Sequence, residues 1–369
     1  MTAAEHLGQL IARHGPVPFS VFLEAALYGE GGFYASSGAA GRRGDFLTSP
    51  EVGPLFGTVT AAALDTWWDE LGRPDPYVVA DCGAGPGTLA RSVLAAGPRC
   101  ASALRYVLVE RSAAQRARHA AGLPLVPPAE AFAGMGKDEL DATPPTSRGP
   151  LCVSLAELPA VEFIGVVVAN ELLDNLPFDL LVHDGTWREA RVAQAPDGRF
   201  VEVLVPPAHP LPGGLPPRPP HGSRAPVQEQ AREWLADALG HLARGRVVII
   251  DYTSATASMA MRPWREWLRT YRRHERGGHY LADVGDQDVT TEVALDQLGR
   301  EPDAVRTQAQ WLALHGIHEL VAEGKRVWEE GAARGDLTAL RARSRVAEAE
   351  ALLDPSGLGG FTVAEWRVP

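Results

Sequence analysis

The sequence predicts an α/β protein on a doubly wound sheet, with an antiparallel excursion and a helical insertion. Three observations predict it. An apolar run, Val78-Val79-Ala80-Asp81-Cys82, leads into glycine at every second position, Gly83, Gly85 and Gly87, and a helical pattern from Thr88 to Leu94 follows. A second apolar run from Arg105 to Val109 ends in Glu110. Further apolar runs at 151–155, 163–169 and 246–250 supply the other buried strands.

The elements follow in order. Residues 2–14 and 18–28 read as short helices, split by Gly15-Pro16-Val17-Pro18. Residues 29–47 read as a loop. Thr48-Ser49-Pro50-Glu51 has the spacing of a capping box with proline in the first turn, so a helix is expected from there to about Leu71. Strands come at about 77–81, 105–110, 151–155 and 163–169, with a polar loop at 134–150. Short runs at 178–183, 187–192 and 200–205, separated by Asp184-Gly185 and Asp197-Gly198, are hairpin signals. They predict an antiparallel excursion at one edge of the sheet. Residues 206–226 are proline-rich and irregular. A helix at 227–243 leads into the strand ending at Asp251-Tyr252. Residues 255–350 look mostly helical, and 361–368 close the chain as an edge strand. The domain reading is an N-terminal helical segment (1–72), a core (73–254 with 355–369), and a mainly helical insertion (255–354).

Composition narrows the function. The formal net charge is -11, and Lys137 and Lys325 are the only lysines among 35 basic residues. An acidic chain without a basic tract argues against nucleic acid as a partner and suits a cationic substrate. Cys82, Cys100 and Cys152 are isolated, with neither a C-x-x-C pair nor zinc spacing. No metal is expected, and a reduced cytoplasmic setting fits best. The N-terminus lacks a basic and apolar leader pattern, and no apolar stretch is long enough to span a membrane. A homo-oligomer is compatible with the composition.

Two constellations can carry chemistry. A strand feeding a glycine turn and a helix start presents bare backbone to a ligand, although an ordinary tight turn is the alternative. The spacing differs from the dinucleotide fingerprint because Thr88 stands where that pattern continues. Glu110, after the second strand, is where doubly wound folds take ribose hydroxyls. Asn170-Glu171 then ends a buried strand at the sheet's carboxyl edge, with Asp174 three residues on. The alternative is a capped turn with Glu171 solvated. Asp251-Tyr252 ends a later strand at that same edge and reads equally as ligand contact or turn. Gly44-Asp45-Phe46 reads, on its residues alone, as a loop anchored by Phe46. His274 and His279 are not at metal-ligand spacing.

Several motifs together resemble one family. Asp81-x-Gly83-x-Gly85-x-Gly87 has the spacing of S-adenosylmethionine-dependent methyltransferases. Ala25 to Tyr28, Gly32-Phe33-Tyr34, Gly44-Asp45-Phe46 with Thr48-Ser49-Pro50-Glu51, Asn170-Glu171-Leu172-Leu173-Asp174-Asn175, Asp251-Tyr252 and Gly285 to Thr290 resemble the MidA-like methyltransferases. That family includes the mitochondrial complex I assembly-factor arginine methyltransferase. The resemblance implies a class I, Rossmann-like methyltransferase fold and S-adenosyl-L-methionine as cofactor. It implies that Gly44, Asp45 and Phe46 fold toward the cofactor, beside Asp81, Gly83, Gly85, Gly87, Glu110 and Asn170. With it, Asn170, Glu171 and Asp174 become candidate catalytic residues acting on a protein arginine side chain. A small-molecule N- or O-methyltransferase and a non-catalytic assembly factor with a cofactor pocket are the alternatives. Thr253 and Glu292 depart from the family pattern, which commonly has Gly and His there.

Overall fold

The computed structural model describes residues 1–36, 48–135, 148–272, 275–331 and 337–369. Seven strands form the central sheet: β1 (Tyr77–Cys82), β2 (Leu104–Val109), β3 (Leu151–Leu155), β4 (Phe163–Asn170), β5 (Leu242–Asp251), β6 (Ala304–Thr307) and β7 (Thr362–Val368). Their order across the sheet is β3-β2-β1-β4-β5-β7-β6. β1 to β5 run parallel, and β7 lies antiparallel to both its neighbours. Every residue of β1 and β2 is buried, as expected of parallel strands covered on both faces.

Helices cover the two faces. Leu55, Phe56, Val59 and Leu64 from Pro54–Glu70 pack with Leu89 and Val93 and with Val79, Tyr106 and Val166 of the sheet. Ala231, Leu235 and Ala238 from Glu229–Gly240 pack on the other face against Val78, Val107 and Val167. Chain order reverses at β1, which pairs with β2 on one side and β4 on the other. Such a switch opens a crevice outside the carboxyl ends of the strands.

Four expectations need correcting. The antiparallel excursion is a separate sheet and not an extension of the central one. Asp179–His183, Trp187–Gln194, Phe200–Val205 and Arg224–Val227 join the N-terminal Val17–Pro18. Leu180, Val182 and Ala190 bury against Phe19, Phe22 and Leu27 in a second core, so the apolar faces are satisfied away from the sheet edge. The closing strand β7 is interior, and β6 takes the edge. Four consecutive buried residues, Val363 to Trp366, mark burial on both faces, whereas β6 alternates.

The insertion opens on one short helix, Thr256–Met261, and its other α-helices, Gln308–Leu314, Ile317–Gly331 and Leu337–Leu353, lie in its second half. Its first half holds strands at Leu268–Arg272 and Asp288–Thr291, where β-branched Val289, Thr290 and Thr291 favour the pleated surface. Finally, the helix after Thr48 breaks. Gly53 is extended between Ser49–Val52 and Pro54–Glu70, and Thr48 makes no side-chain cap. Glu51 is drawn instead to Thr88, whose hydroxyl donates to it at 2.6 Å.

Candidate active site

The glycine turn is held from three sides. Gly83, Gly85 and Gly87 have φ of 73°, 53° and 80°, the left-handed region that a side chain disfavours. The N–H groups of Gly83 and Ala84 donate to the Val109 carbonyl at 2.9 and 3.1 Å. The Gly85 N–H donates to the Glu110 carboxylate at 2.9 Å, and Ser112 N–H donates to its other oxygen at 2.7 Å. His119, fully buried, lies 2.7 Å from the Gly85 carbonyl and 2.8 Å from Ser154 Oγ. No sequence signal marked His119, because its partners are 34 and 35 residues away. Asp81 is buried beneath the turn and accepts from the Tyr106 hydroxyl at 3.1 Å. Burial pushes its pKa up to about 7, against the lowering effect of that hydrogen bond.

The second constellation forms at the tips of β4 and β5. Glu171 sits at φ 52°, uncommon for a residue with a side chain, and its N–H donates to the Ile250 carbonyl at 2.8 Å. Its Oε1 accepts from Asn170 Nδ2 at 3.1 Å and from the Ser49 N–H at 3.3 Å. Asn170 Oδ1 is thereby turned away, buried and without a partner among the described residues. Asp251, fully buried, accepts the N–H groups of Leu173, Asp174 and Tyr252. Asp174 Oδ2 accepts from Thr290 Oγ1 at 2.6 Å, while its Oδ1 is buried with no partner among the described residues. Asp288 accepts from the Tyr34 hydroxyl at 3.1 Å and from Asn175 Nδ2 at 3.3 Å.

Glu171, Asp174, Asp251 and Asp288 thus form a cluster of carboxylates, Glu171 half-buried and the three aspartates buried. Burial, then the charge of Asp174, raises Glu171 to about 8. The same two causes raise Asp288 to about 7. Burial also raises Asp174, and it lifts Asp251 well above the usual carboxylate range, with the charges of Asp174 and Glu171 adding to it. Such a cluster is poised to receive positive charge.

A cavity of about 420 Å³ opens at this edge. Asp81, Gly83, Gly85, Glu110, Asn170 and Glu171 all line it, joined by Tyr28, Tyr34, Glu51, Leu158 and Trp234. Gly87 and Asp174 stand behind the lining. A Cβ at Gly87 would come within 2.9 Å of Leu108, so this glycine serves close packing. Gly44, Asp45 and Phe46 lie outside the described residues, as does His274. Asp251, legible equally as ligand contact or turn, holds backbone. Thr253 meets Thr362 at 2.7 Å, and Glu292 accepts from Arg262 and Arg269, so both departures serve internal contacts. His279 packs against Trp264 and Tyr280. Among the described residues no group of His, Cys, Asp and Glu is arranged to hold a metal ion, and no helix is long and apolar enough to cross a membrane.

A family model described as S-adenosyl-L-methionine-dependent methyltransferase matches residues 59–313. The chain belongs to this family, the MidA-like methyltransferases. A Burkholderia thailandensis protein described as a candidate methyl transferase, crystallised with S-adenosyl-homocysteine, is similar to this methyltransferase. It has 27% identity and a TM-score of 0.78, over 99% of this chain and 92% of that one. A native crystal structure from that species aligns at 26% identity and TM-score 0.75, over 99% and 91%. Among curated proteins, the Drosophila melanogaster mitochondrial protein arginine methyltransferase NDUFAF7 homolog is 37% identical over 92 residues, 25% of this chain and 21% of that protein. The Homo sapiens protein of that name is 28% identical over 101 residues, 27% and 23% respectively. This methyltransferase therefore matches only about a fifth to a quarter of the length of those relatives.

The cofactor is S-adenosylmethionine, and the site fits it. A Cβ on Gly85 would meet no atom within 4 Å, so the turn faces open space. The unpartnered Asn170 Oδ1 offers an acceptor, and Glu110 stands at the end of β2.

Proposed function

We propose that this S-adenosylmethionine-dependent methyltransferase modifies the guanidinium of a protein arginine side chain. The observation that carries the reading is the unpartnered, buried Asp174 Oδ1 within the carboxylate cluster. An acidic cluster suits a cation far better than a neutral amine or hydroxyl. The partial similarity to named arginine methyltransferases supports the same acceptor. The strand order, with antiparallel β7 between β5 and β6, supports the class I form of the fold.

The bound cofactor supplies a methyl group on a positively charged sulfur. The protein's own residues do the rest. The glycine turn would carry the methionine end and Glu110 the ribose. Glu171, lining the cavity, would hold the guanidinium and align one nitrogen for in-line attack. As the N–C bond forms and the methyl's C–S bond breaks to leave S-adenosylhomocysteine, Asp174, behind Glu171, would stabilise the positive charge and the Glu171 carboxylate would take the proton lost from the nitrogen.

The test is methyl transfer from labelled cofactor to an arginine peptide pool. Glu171→Gln and Asp174→Asn keep shape and abolish the negative charge that a bound guanidinium would draw out of each carboxyl. Each should leave S-adenosylhomocysteine affinity nearly unchanged and cut transfer by about tenfold or more, as loss of preorganised charge does. Wild-type turnover by both amides would overturn the reading. So would a wild type that ignores peptides and methylates a neutral metabolite, or one that binds a partner without turnover.

A further inference from the structure

The short helix Ser49–Val52 touches both halves of the site. At one end, the Ser49 N–H donates to Glu171. At the other, Glu51 receives the Thr88 hydroxyl at 2.6 Å, at the start of the helix that follows the glycine turn. That hydroxyl accepts in turn from Arg91 Nη2 at 2.8 Å, and Arg91 Nη1 is pinned by the Pro86 carbonyl at 2.6 Å. The chain Pro86, Arg91, Thr88, Glu51 fixes a carboxylate against the turn. Glu51 lines the cavity there, and Glu110 lines it from the end of β2.

We infer that Glu51 binds the α-ammonium of the cofactor's methionyl tail. The inference rests on the cofactor assignment. A carboxylate facing a bound ligand needs a donor or a cation opposite it. Of the groups on S-adenosylmethionine, adenine offers only uncharged N6–H donors, and the α-carboxylate is repelled. The ribose hydroxyls have Glu110. The sulfonium is cationic but has no N–H to donate. The ammonium has three donors and full charge, which suits a charge-assisted bond. Thr88 orients the Glu51 carboxylate, so Thr88 is a positioning residue.

The experiment is calorimetry with three ligands. These are S-adenosylhomocysteine, its analogue lacking the α-amino group, and 5′-methylthioadenosine, which lacks the whole amino-acid tail. Wild type should bind the deaminated analogue more weakly than S-adenosylhomocysteine by about ten- to a hundredfold, the span of a hydrogen bond between charged groups. Glu51→Gln should lose a similar factor for S-adenosylhomocysteine, bind methylthioadenosine as wild type does, and no longer distinguish the deaminated analogue. Thr88→Val should shift in the same direction by less. Equal wild-type affinity for S-adenosylhomocysteine and the deaminated analogue overturns the inference, and needs no variant. Equal weakening of all three ligands in Glu51→Gln also overturns it, because the residue then only supports the turn. Failure of the wild type to bind any of the three would instead sink the cofactor assignment.

Discussion

Asp251 accepts the backbone N–H of Asp174 at 3.2 Å, with the Leu173 N–H on the same oxygen at 3.0 Å. One buried carboxylate at the tip of β5 therefore shapes the loop that follows β4. The turn at Leu173–Asn175 is a single 3-10 turn, too short to hold itself.

Asp251→Ala should leave the two buried N–H groups of Leu173 and Asp174, and the half-buried one of Tyr252, without their acceptor. Each unsatisfied buried donor costs about 1–3 kcal/mol, and relief of like-charge repulsion offsets part of it. A net loss of about 2 kcal/mol is expected by urea unfolding, together with loss of methyl transfer. Asp251→Asn, which keeps one acceptor oxygen, should lose less. Unchanged stability in the alanine variant would remove Asp251 from this role.

Glu171 makes stability depend on pH in an unusual direction. Its pKa in the folded protein is about 8 against an ordinary 4.5, so the native state holds this proton more tightly than the unfolded chain. The contribution is whole below pH 4.5 and is lost as pH rises through 8. Glu171→Gln mimics the protonated form permanently. Urea unfolding at a series of pH values across that window should show a wild-type decline that the variant lacks. Parallel curves for the two proteins would refute the assignment.

His119 should matter to both fold and cofactor. Burial lowers its pKa, so the ring is neutral. With the Gly85 carbonyl able only to accept, Nε2 carries the hydrogen and Nδ1 accepts from Ser154 Oγ. His119→Leu should leave both partners stranded, at a cost of about 2 kcal/mol. The Gly85 turn should loosen, and the melting-temperature rise given by saturating S-adenosylhomocysteine should shrink. A variant with full ligand response would confine His119 to packing.

The sequence alone determined the glycine turn, Glu110, and Asn170-Glu171 at a strand tip. Those features are local: an apolar run, its end, and the residues just beyond it. The doubly wound rule then places all strand ends at one edge, which is why Asp81, Gly83, Gly85, Glu110, Asn170 and Glu171 share a cavity. Local patterning also located the short strands from 178 to 205, but not the sheet they join. That pairing depends on Val17–Pro18, far away in the chain. Only the tertiary structure decided the rest of the site. Asp174 meets Asp251 across 77 residues, and Asn175 meets Asp288 across 113. Glu51 abandons its local cap for Thr88, 37 residues on. A side chain's partner is set by which surfaces pack together, and no periodicity encodes that. The carboxylate cluster is a product of packing, assembled from residues that each look ordinary in the sequence.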